Sequence, residues 1–365
     1  MSSQLIKRLW QQIKDPLDGW LMLFLGLIFL LSLLVLYSAS GQSFAKIDNK
    51  LAYTALALVI MWVLARTRPQ VIMQFAPPIY IVGLLLLIAV HVHGVTVNGS
   101  TRWLSLGFTR IQPSEIMKIA LPMTIAWFFQ KYELNLRWWH YIIAGMLIML
   151  PVALILKQPD LGTATLILAA GFFVLFFAGL SWRVIFGGVV AFGASLPVIW
   201  HMMHDYQQKR VLTLIDPMSD PLGAGYHIIQ SMIAIGSGGP LGKGWLNGTQ
   251  THLDYIPERT TDFIFAVYSE EFGMIGNLIL VALYLLIISR GLMITARAQS
   301  MYGRLMAGSI TLSFFVYAFV NMGMVSGILP VVGVPLPFVS YGGTATVILF
   351  IGTGMLMSIG KPRNK

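Results

Sequence analysis

The stretch LDGWLMLFLGLIFLLSLLVLY, residues 17–37, decides the fold class of this chain, because Asp18 is its only charged residue. A helix needs about 20 mostly apolar residues to cross the hydrocarbon core of a membrane, so the stretch predicts a membrane-spanning helix. It follows Lys7, Arg8 and Lys14, which is also the arrangement of a signal peptide. The length of the stretch and the further spans along the chain favour an uncleaved anchor.

Similar apolar segments recur throughout the 365 residues, of which 57% are hydrophobic and 10% charged. An average soluble domain has roughly 25% charged residues. We therefore predict an all-α polytopic membrane protein, a single transmembrane domain over residues 1–365 with about ten spans. The predicted spans are Leu17–Tyr37, Leu51–Leu64, Ile79–His93, Glu115–Gln130, Tyr141–Leu156, Leu161–Leu180, Val184–Met203, Asp262–Ser289, Leu305–Leu329 and Phe338–Ile359.

One connection, residues 204–261, is much longer than the others and joins predicted spans seven and eight. Loops of this length are usually functional or disordered, and the aromatic residues in this one argue against disorder. Ile228–Ile235 has the composition of a short helix lying on the membrane. The glycine-rich stretch 236–244 lacks the pattern of a phosphate loop, yet its backbone amides and Lys243 can hold a pyrophosphate.

The distribution of Lys and Arg predicts the orientation, because basic residues concentrate in cytoplasmic loops. Connections on the N-terminal side hold Lys7, Arg8, Lys14, Arg66, Arg68, Lys131, Arg137, Arg183, Arg290, Arg297, Arg304, Lys361, Arg363 and Lys365. Short connections on the opposite side hold only Lys46, Lys50, Arg102, Arg110 and Lys157. We expect both termini to be cytoplasmic and the long connection to be extracytoplasmic. The net charge of +10 is then a topology signal and does not imply a nucleic-acid partner.

Cysteine is absent from the sequence, which excludes a disulfide framework, a thiolate nucleophile, a Cys-ligated zinc and an iron–sulfur cluster. No resident metal or cofactor is predicted with certainty. Asp254 and Glu258 lie close to Asp262 in sequence, so a divalent cation is left open.

Ionisable residues at membrane depth are costly and are functional candidates for that reason. Glu115 and Lys118 are three residues apart, so they share a helix face and can neutralise each other. They form either a structural ion pair or a charged wall of a substrate cavity. Asp160 precedes an outer helix start, where it can cap the helix or belong to the same cavity.

Asp262 opens the eighth predicted span at the end of the long connection. Capping that helix would lower its pKa, whereas burial in an apolar cleft would raise it towards the value that a general base needs. Glu270 and Glu271 follow on the same helix, about 12 to 13.5 Å further along its axis and thus deeper in the membrane. We expect them to bond to neighbouring helices or, in a transporter, to form part of a proton path.

Outward-facing basic residues either contact lipid headgroups or together bind an anionic lipid phosphate, a task to which Arg is suited. The candidates are Arg102, Arg110, Lys157, Lys209, Arg210, Lys243 and Arg259.

Several motifs resemble those of the shape, elongation, division and sporulation (SEDS) family of peptidoglycan polymerases. They span nearly the whole chain in order. They are Gln112-Pro-Ser-Glu-Ile-Met-Lys118, Gln158-Pro-Asp-Leu-Gly-Thr163, the stretch from Asp216 to Ser231, Pro257-Glu-Arg-Thr-Thr-Asp-Phe-Ile-Phe265 and the stretch from Gly327 to Gly343.

The resemblance implies a glycosyltransferase that joins lipid II units into glycan strands at the outer face of the cytoplasmic (inner) membrane. It implies that Asp262 is the general base on the acceptor 4-hydroxyl while the lipid pyrophosphate leaves the donor. Glu115, Lys118 and Asp160 match the family's polar cavity. The outer bases, among them Arg102, Arg210, Lys243 and Arg259, are candidates to stabilise the leaving group.

The resemblance also implies partners: a class B penicillin-binding protein, which is a transpeptidase, and other proteins of the elongation machinery. The short N-terminal tail agrees with an elongation-type member. Two alternatives stay open. A lipid-linked precursor flippase or other transporter would use Glu115, Lys118, Glu270 and Glu271, although no inverted repeat is visible. A non-catalytic scaffold would not need Asp262.

Overall fold

The computed structural model of the protein describes residues 14–97, 100–105, 110–203, 205–220, 223–253, 255–256 and 258–361. Long helices dominate these residues. The helices are α1 Gly19–Ala39, α2 Phe44–Arg66, α3 Pro69–Gln74, α4 Ala76–His93, α5 Pro113–Lys131, α6 Trp138–Leu156, α7 Leu161–Phe177, α8 Trp182–Met202, α9 Asp205–Ile215, α10 Ala224–Gly238, α11 Thr249–His252, α12 Ile264–Arg297, α13 Met301–Val325 and α14 Gly343–Gly360.

Seven helices of the described residues are long and apolar enough to cross a membrane: α1, α2, α4, α6, α12, α13 and α14. The predicted fold class, a multi-pass membrane protein built of helices, is therefore confirmed for a chain that is mostly helical, whereas the count of ten spans stays a prediction. Of the other candidates, α7 has 17 residues, the apolar part of α8 is Trp182–Val198, and α5 carries Glu115, Lys118 and Lys131.

The helix α2 begins at Phe44, seven residues before the predicted start at Leu51. Lys50 was therefore wrongly placed in an outer loop: it lies within α2 and is 4% exposed. The helix packs along α14, while α13 packs on α7 and α12.

The helices α1 and α12 run antiparallel and are joined by polar contacts at both ends. At one end Arg290 Nη2 lies 2.6 Å from Asp18 Oδ2, and Asp18 caps α1. At the other end Ser38 Oγ donates to Glu271 Oε1. From Glu271 to Arg290 a helix advances about 28 Å, close to the roughly 30 Å of a hydrocarbon core. Glu271 and Arg290 therefore lie at opposite ends of this helix pair.

The helix α12 is kinked at Gly273, whose φ of 62° and ψ of −160° are not helical. Its first segment, residues 264–272, runs across one end of the bundle, because Glu271 meets the end of α1 and Asp262 meets Asn321, four residues before the end of α13. The expectation that Glu270 and Glu271 lie deeper in the membrane than Asp262 is therefore wrong. The kink redirects the helix only after Glu271.

The glycine-rich turn docks into this kink. Gly239 O accepts from Met274 N at 2.9 Å, and Lys243 N donates to Glu270 O at 3.0 Å. A β-carbon on Gly242, where φ is 80°, would lie 2.1 Å from Glu271 O, so only glycine fits there. The glycine-rich stretch 236–244 is thus a packing element of the fold.

Three short strands between α4 and α5 were not predicted. They are β1 Val95–Val97, β2 Ser100–Ser105 and β3 Arg110–Ile111, and they pair antiparallel in the order β1-β2-β3. The turn signal Asn98-Gly99, which follows Val95-Thr-Val97 in the sequence, was the available indication, but the stretch is too short to stand out beside the spans. The strand β2 matters for the site because it carries Arg102.

The long connection is structured where it is described. It contains α9, a 3₁₀ turn over Pro217–Ser219, α10 and α11. The short helix expected over Ile228–Ile235 lies within α10, which packs against α12.

Candidate active site

Asp160 is buried and fully bonded at the start of α7. Its Oδ1 accepts from Thr163 N at 3.1 Å, and its Oδ2 accepts from Thr163 Oγ1 at 2.9 Å. It therefore caps α7, as the sequence predicted. Gln112 Nε2 and Arg102 Nη1 each reach Oδ2 at 3.3 Å, so the same carboxylate ties the strand β2 to the starts of α5 and α7.

Glu115 and Lys118 form the expected ion pair one turn into α5, with Lys118 Nζ 2.5 Å from Glu115 Oε1. The ammonium also lies 5.1 Å from the centre of the Tyr317 ring. Glu115 Oε2 is buried and makes no hydrogen bond to the described residues. A buried acceptor without a donor is costly. This oxygen can therefore accept a hydrogen bond from a water or from a hydroxyl of a bound substrate.

These residues surround a polar cavity of about 120 Å³, the outer cavity. Its lining includes Arg102, Gln112, Glu115, Lys118, Thr163, Gly333 and Thr344. Two further cavities, of about 20 and 60 Å³, also reach Lys118, and the larger is lined mostly by apolar side chains such as Leu21, Ile287 and Phe314. Lys118 thus borders both the outer cavity and apolar space inside the bundle.

Asp262 lies beside the outer cavity, since a β-carbon on Gly333 would come within 3.3 Å of Asp262 Oδ2. Its carboxyl does not cap α12, which begins at Ile264 after Phe263 and has no side-chain cap. The capping alternative considered for Asp262 is therefore wrong. The backbone is held instead: Asn321 Nδ2 donates to Asp262 O at 2.8 Å and to Val334 O at 2.6 Å.

The environment of Asp262 makes its carboxyl a weak acid. Burial raises the pKa of Asp262 to about 6, and the nearby carboxylate of Glu258 also acts to raise it. The guanidinium of Arg102 acts in the opposite direction, because a positive charge favours the ionised form. The group is mostly ionised at neutral pH and can still accept a proton, which are the two properties of a general base.

The remaining predicted site residues are not all brought together. Arg259 is partly buried in the turn that precedes Asp262, and the side chain of Arg210 lies outside the described part of the chain. Lys243 donates to buried Glu270 Oε1 at 2.7 Å, and Glu270 lies eight residues beyond Asp262, about 12 Å along the helix. That pairing argues against Lys243 as a basic residue that binds the substrate phosphate.

Glu270 and Glu271 are bonded to neighbouring elements. Glu270, 0% exposed, accepts from Lys243, from Thr249 Oγ1 at 3.1 Å and from Gln250 N at 3.0 Å. Glu271 accepts from Ser38. These contacts give the two acids a place in the packing of α12.

Sequence reasoning missed two residues that hold the Asp262 turn. Asn321 bridges Asp262 and Val334, and Ser340 Oγ donates to Thr261 O at 2.6 Å. A lone Asn in an apolar span was the available signal, because a buried amide needs partners. Ser340 carried no such signal, since Ser is common in loops.

A divalent cation remains an open prediction. Among the described residues no group of three or more His, Asp or Glu side chains forms a metal site. Asp254, one of the two acids considered, lies outside those residues.

The protein was compared with known sequences. Residues 17–365 match the family described as "Cell cycle protein" (FtsW, RodA, SpoVE). The chain is 53% identical over 354 residues to the peptidoglycan glycosyltransferase MrdB of Escherichia coli K12, covering 97% of this chain and 95% of the relative. It is 34% identical to the peptidoglycan glycosyltransferase RodA of Treponema pallidum, covering 76% of this chain and 80% of that relative.

Comparison with solved structures indicates the same family. A chain of the structure described as "Structural coordination of polymerization and crosslinking by a peptidoglycan synthase complex" superposes with a TM-score of 0.82 at 31% identity, covering 94% of this chain and 97% of that one. The rod shape determining protein RodA of Thermus thermophilus superposes with a TM-score of 0.72 at 26% identity, covering 95% and 98%. The order of motifs, the fold and these relatives lead to one conclusion: the chain belongs to the FtsW, RodA and SpoVE family and is of the RodA type.

Proposed function

We propose that this peptidoglycan glycosyltransferase polymerises lipid II into glycan strands at the outer face of the cytoplasmic membrane during cell elongation, with Asp262 as its general base. One observation carries the proposal. A carboxyl with a pKa of about 6 lies beside a polar cavity that holds Arg102 and Lys118. A base is most effective when its pKa is close to the working pH.

In the proposed reaction the 4-hydroxyl oxygen of the acceptor sugar attacks the anomeric carbon of the donor. Its proton passes to the Asp262 carboxylate. The bond from the anomeric carbon to the lipid pyrophosphate breaks, and the pyrophosphate leaves with the electron pair. Attack from the side opposite the leaving group inverts the anomeric centre. Most of the new negative charge develops on the pyrophosphate, so cations fixed near it lower the barrier.

Arg102 and Lys118 are the strongest candidates for those cations. Both line the outer cavity, and each is already held in place by a carboxylate, Arg102 by Asp160 and Lys118 by Glu115. Holding the cations before the reaction reduces the reorganisation that charge development would otherwise require. Arg210 and Arg259 are further candidates for the lipid phosphate, and Glu115 Oε2 is an acceptor for a sugar hydroxyl.

The proposed setting is the inner membrane, with both termini cytoplasmic and the outer cavity facing outward. The excess of basic residues on the N-terminal side supports this orientation. The solved relative concerned with polymerisation and crosslinking supports a class B penicillin-binding protein as partner, alongside other elongation proteins. The other proposed binding partners are lipid II, the growing glycan strand and membrane lipid.

The proposal is tested with the purified chain bound to its transpeptidase partner, in the wild-type form and as Asp262→Ala. Polymer formation from lipid II and movement of labelled lipid II across liposomes are measured in parallel. We expect polymer from the wild type and none from a folded, partner-bound Asp262→Ala complex. Equal polymer from both would contradict Asp262 as the general base. Lipid II transport without polymer would support the flippase, and a wild-type complex with neither activity would support the scaffold.

A further inference from the structure

Lys50 is a buried lysine close to the proposed active site. It is 4% exposed, and its Nζ donates to Val339 O at 2.5 Å and to Ser340 O at 3.3 Å. Among the described residues no carboxylate pairs with it. Burying the polar end of a lysine is costly unless it is hydrogen-bonded, whereas an apolar side chain has no such cost. Packing alone therefore does not explain a lysine at this position.

The two carbonyls belong to a strained turn, residues 336–340, which lies just before α14. Phe338 has a φ of 60°, a conformation that a bulky residue adopts only when its surroundings enforce it. Within the turn, Ser340 N donates to Leu336 O at 3.0 Å and Leu336 N donates to Ser340 Oγ at 2.7 Å. Lys50 is the contact that ties the far side of the turn to α2.

The same turn holds the backbone that presents Asp262. Ser340 Oγ donates to Thr261 O at 2.6 Å, and Tyr341 N donates to Thr260 O at 2.8 Å. Two hydrogen bonds that meet at Ser340 thus connect Lys50 to the residue before Asp262: Lys50 Nζ donates to the Ser340 carbonyl oxygen, and the Ser340 hydroxyl donates to the Thr261 carbonyl oxygen. Asn321 supports Asp262 separately, because its side-chain amide donates to the backbone carbonyl oxygen of Asp262.

We infer that Lys50 is a positioning residue for the glycosyl transfer, which fixes the turn 336–340 and through it the orientation of the Asp262 carboxyl. The inference rests on the proposed role of Asp262. Displacing a base by about 1 Å can lower the rate about 100-fold without weakening substrate binding. Loss of Lys50 should therefore lower kcat and leave KM unchanged.

The test uses the full chain in complex with its transpeptidase partner and measures initial polymerisation rates over a range of lipid II concentrations. Lys50→Met removes the ammonium and keeps the length of the side chain. We expect kcat to fall at least tenfold and KM to stay within twofold. Lys46→Met is the matched control, since Lys46 is a partly exposed lysine one turn earlier on the same helix, and it should keep the wild-type rate.

A double-mutant cycle separates positioning from a general loss of structure. Ser340→Ala breaks the next link, so we expect it to lower kcat in the same way. The double variant Lys50→Met/Ser340→Ala should be no slower than the slower single variant, because both break one chain.

Three outcomes would overturn the inference: a Lys50→Met rate within twofold of wild type, a loss confined to KM, or effects that multiply in the double variant. If Lys50→Met does not fold, Ser340→Ala carries the test, and a wild-type rate for it would overturn the inference as well. A wild-type complex without polymerase activity would instead count against the proposed function.

Discussion

Two acids, Asp262 and Glu270, lie at opposite ends of one nine-residue helix segment, residues 264–272, and they differ in how fully their carboxylates are bonded. Glu270, near the kink, accepts from a lysine, a threonine and a backbone amide. Asp262, just before the segment, has its backbone fixed by Asn321, while its carboxyl is desolvated beside Glu258. A carboxylate whose charge is stabilised by several donors contributes to packing and stability. A carboxylate whose charged form is destabilised by burial accepts a proton more readily.

The comparison predicts its largest effect at Asp262. Asp262→Asn keeps the size of the side chain and removes the base, so we expect kcat for glycan polymerisation to fall by roughly 10²- to 10⁴-fold. The thermal stability of the partner-bound complex should not fall. Residual activity within tenfold of wild type would show that proton transfer to this carboxyl is not part of the rate-limiting chemistry.

The next effect concerns the pair that lines the outer cavity. Lys118→Met leaves the Glu115 carboxylate buried and unpaired, which typically costs about 3–5 kcal/mol of stability. The double variant Glu115→Gln/Lys118→Met removes both charges and should recover most of that loss, as measured by thermal melting. Its polymerisation rate should stay at least tenfold below wild type, because the cation that faces the substrate is missing. A double variant with wild-type activity would assign the pair to structure alone.

A smaller effect is expected at Arg102, whose charge lowers the pKa of Asp262. Without that charge the carboxyl ionises at higher pH, so Arg102→Gln should move the acid limb of the rate profile to higher pH. Glu258→Gln is the opposite control. It removes a negative charge that raises the same pKa, and its limb should move to lower pH. Shifts of the same sign in both variants would contradict the electrostatic account.

The smallest effect on activity is expected at the fully bonded acid. Lys243→Met leaves Glu270 buried without its cation, so melting of the complex should occur at a lower temperature. The polymerisation rate per folded complex should stay within about threefold of wild type. A loss of polymerisation rate with unchanged stability would instead indicate that Lys243 binds the substrate.

Part of the candidate site could be predicted from local sequence. The spacing of Glu115 and Lys118 places them on one helix face, and the position of Asp160 before an apolar helix predicts a cap. Both features depend on residues within one turn of each other. The proposed role of Asp262 also came from the sequence, through the resemblance of Pro257–Phe265 to a motif of the SEDS family.

The rest depends on contacts between residues far apart in the chain. Asn321 and Ser340 reach the Asp262 turn across 59 and 79 residues, and hydropathy does not encode such contacts. The direction of the segment 264–272 depends on one glycine, Gly273, and on the turn that docks against it. Lys50 was misplaced because it follows Lys46 and Asp48 directly before the apolar run that begins at Leu51, and charged residues at such a boundary are typical of a loop.

The most direct test of the account is the pH dependence of kcat for polymerisation of lipid II by the wild-type complex. Burial raises the pKa of Asp262 to about 6, and only the ionised carboxylate accepts a proton. The rate should therefore rise with pH through an apparent pKa near 6 and level off above it. A rate that does not change with pH between about 5 and 7, in a complex that stays folded, would contradict Asp262 as the general base.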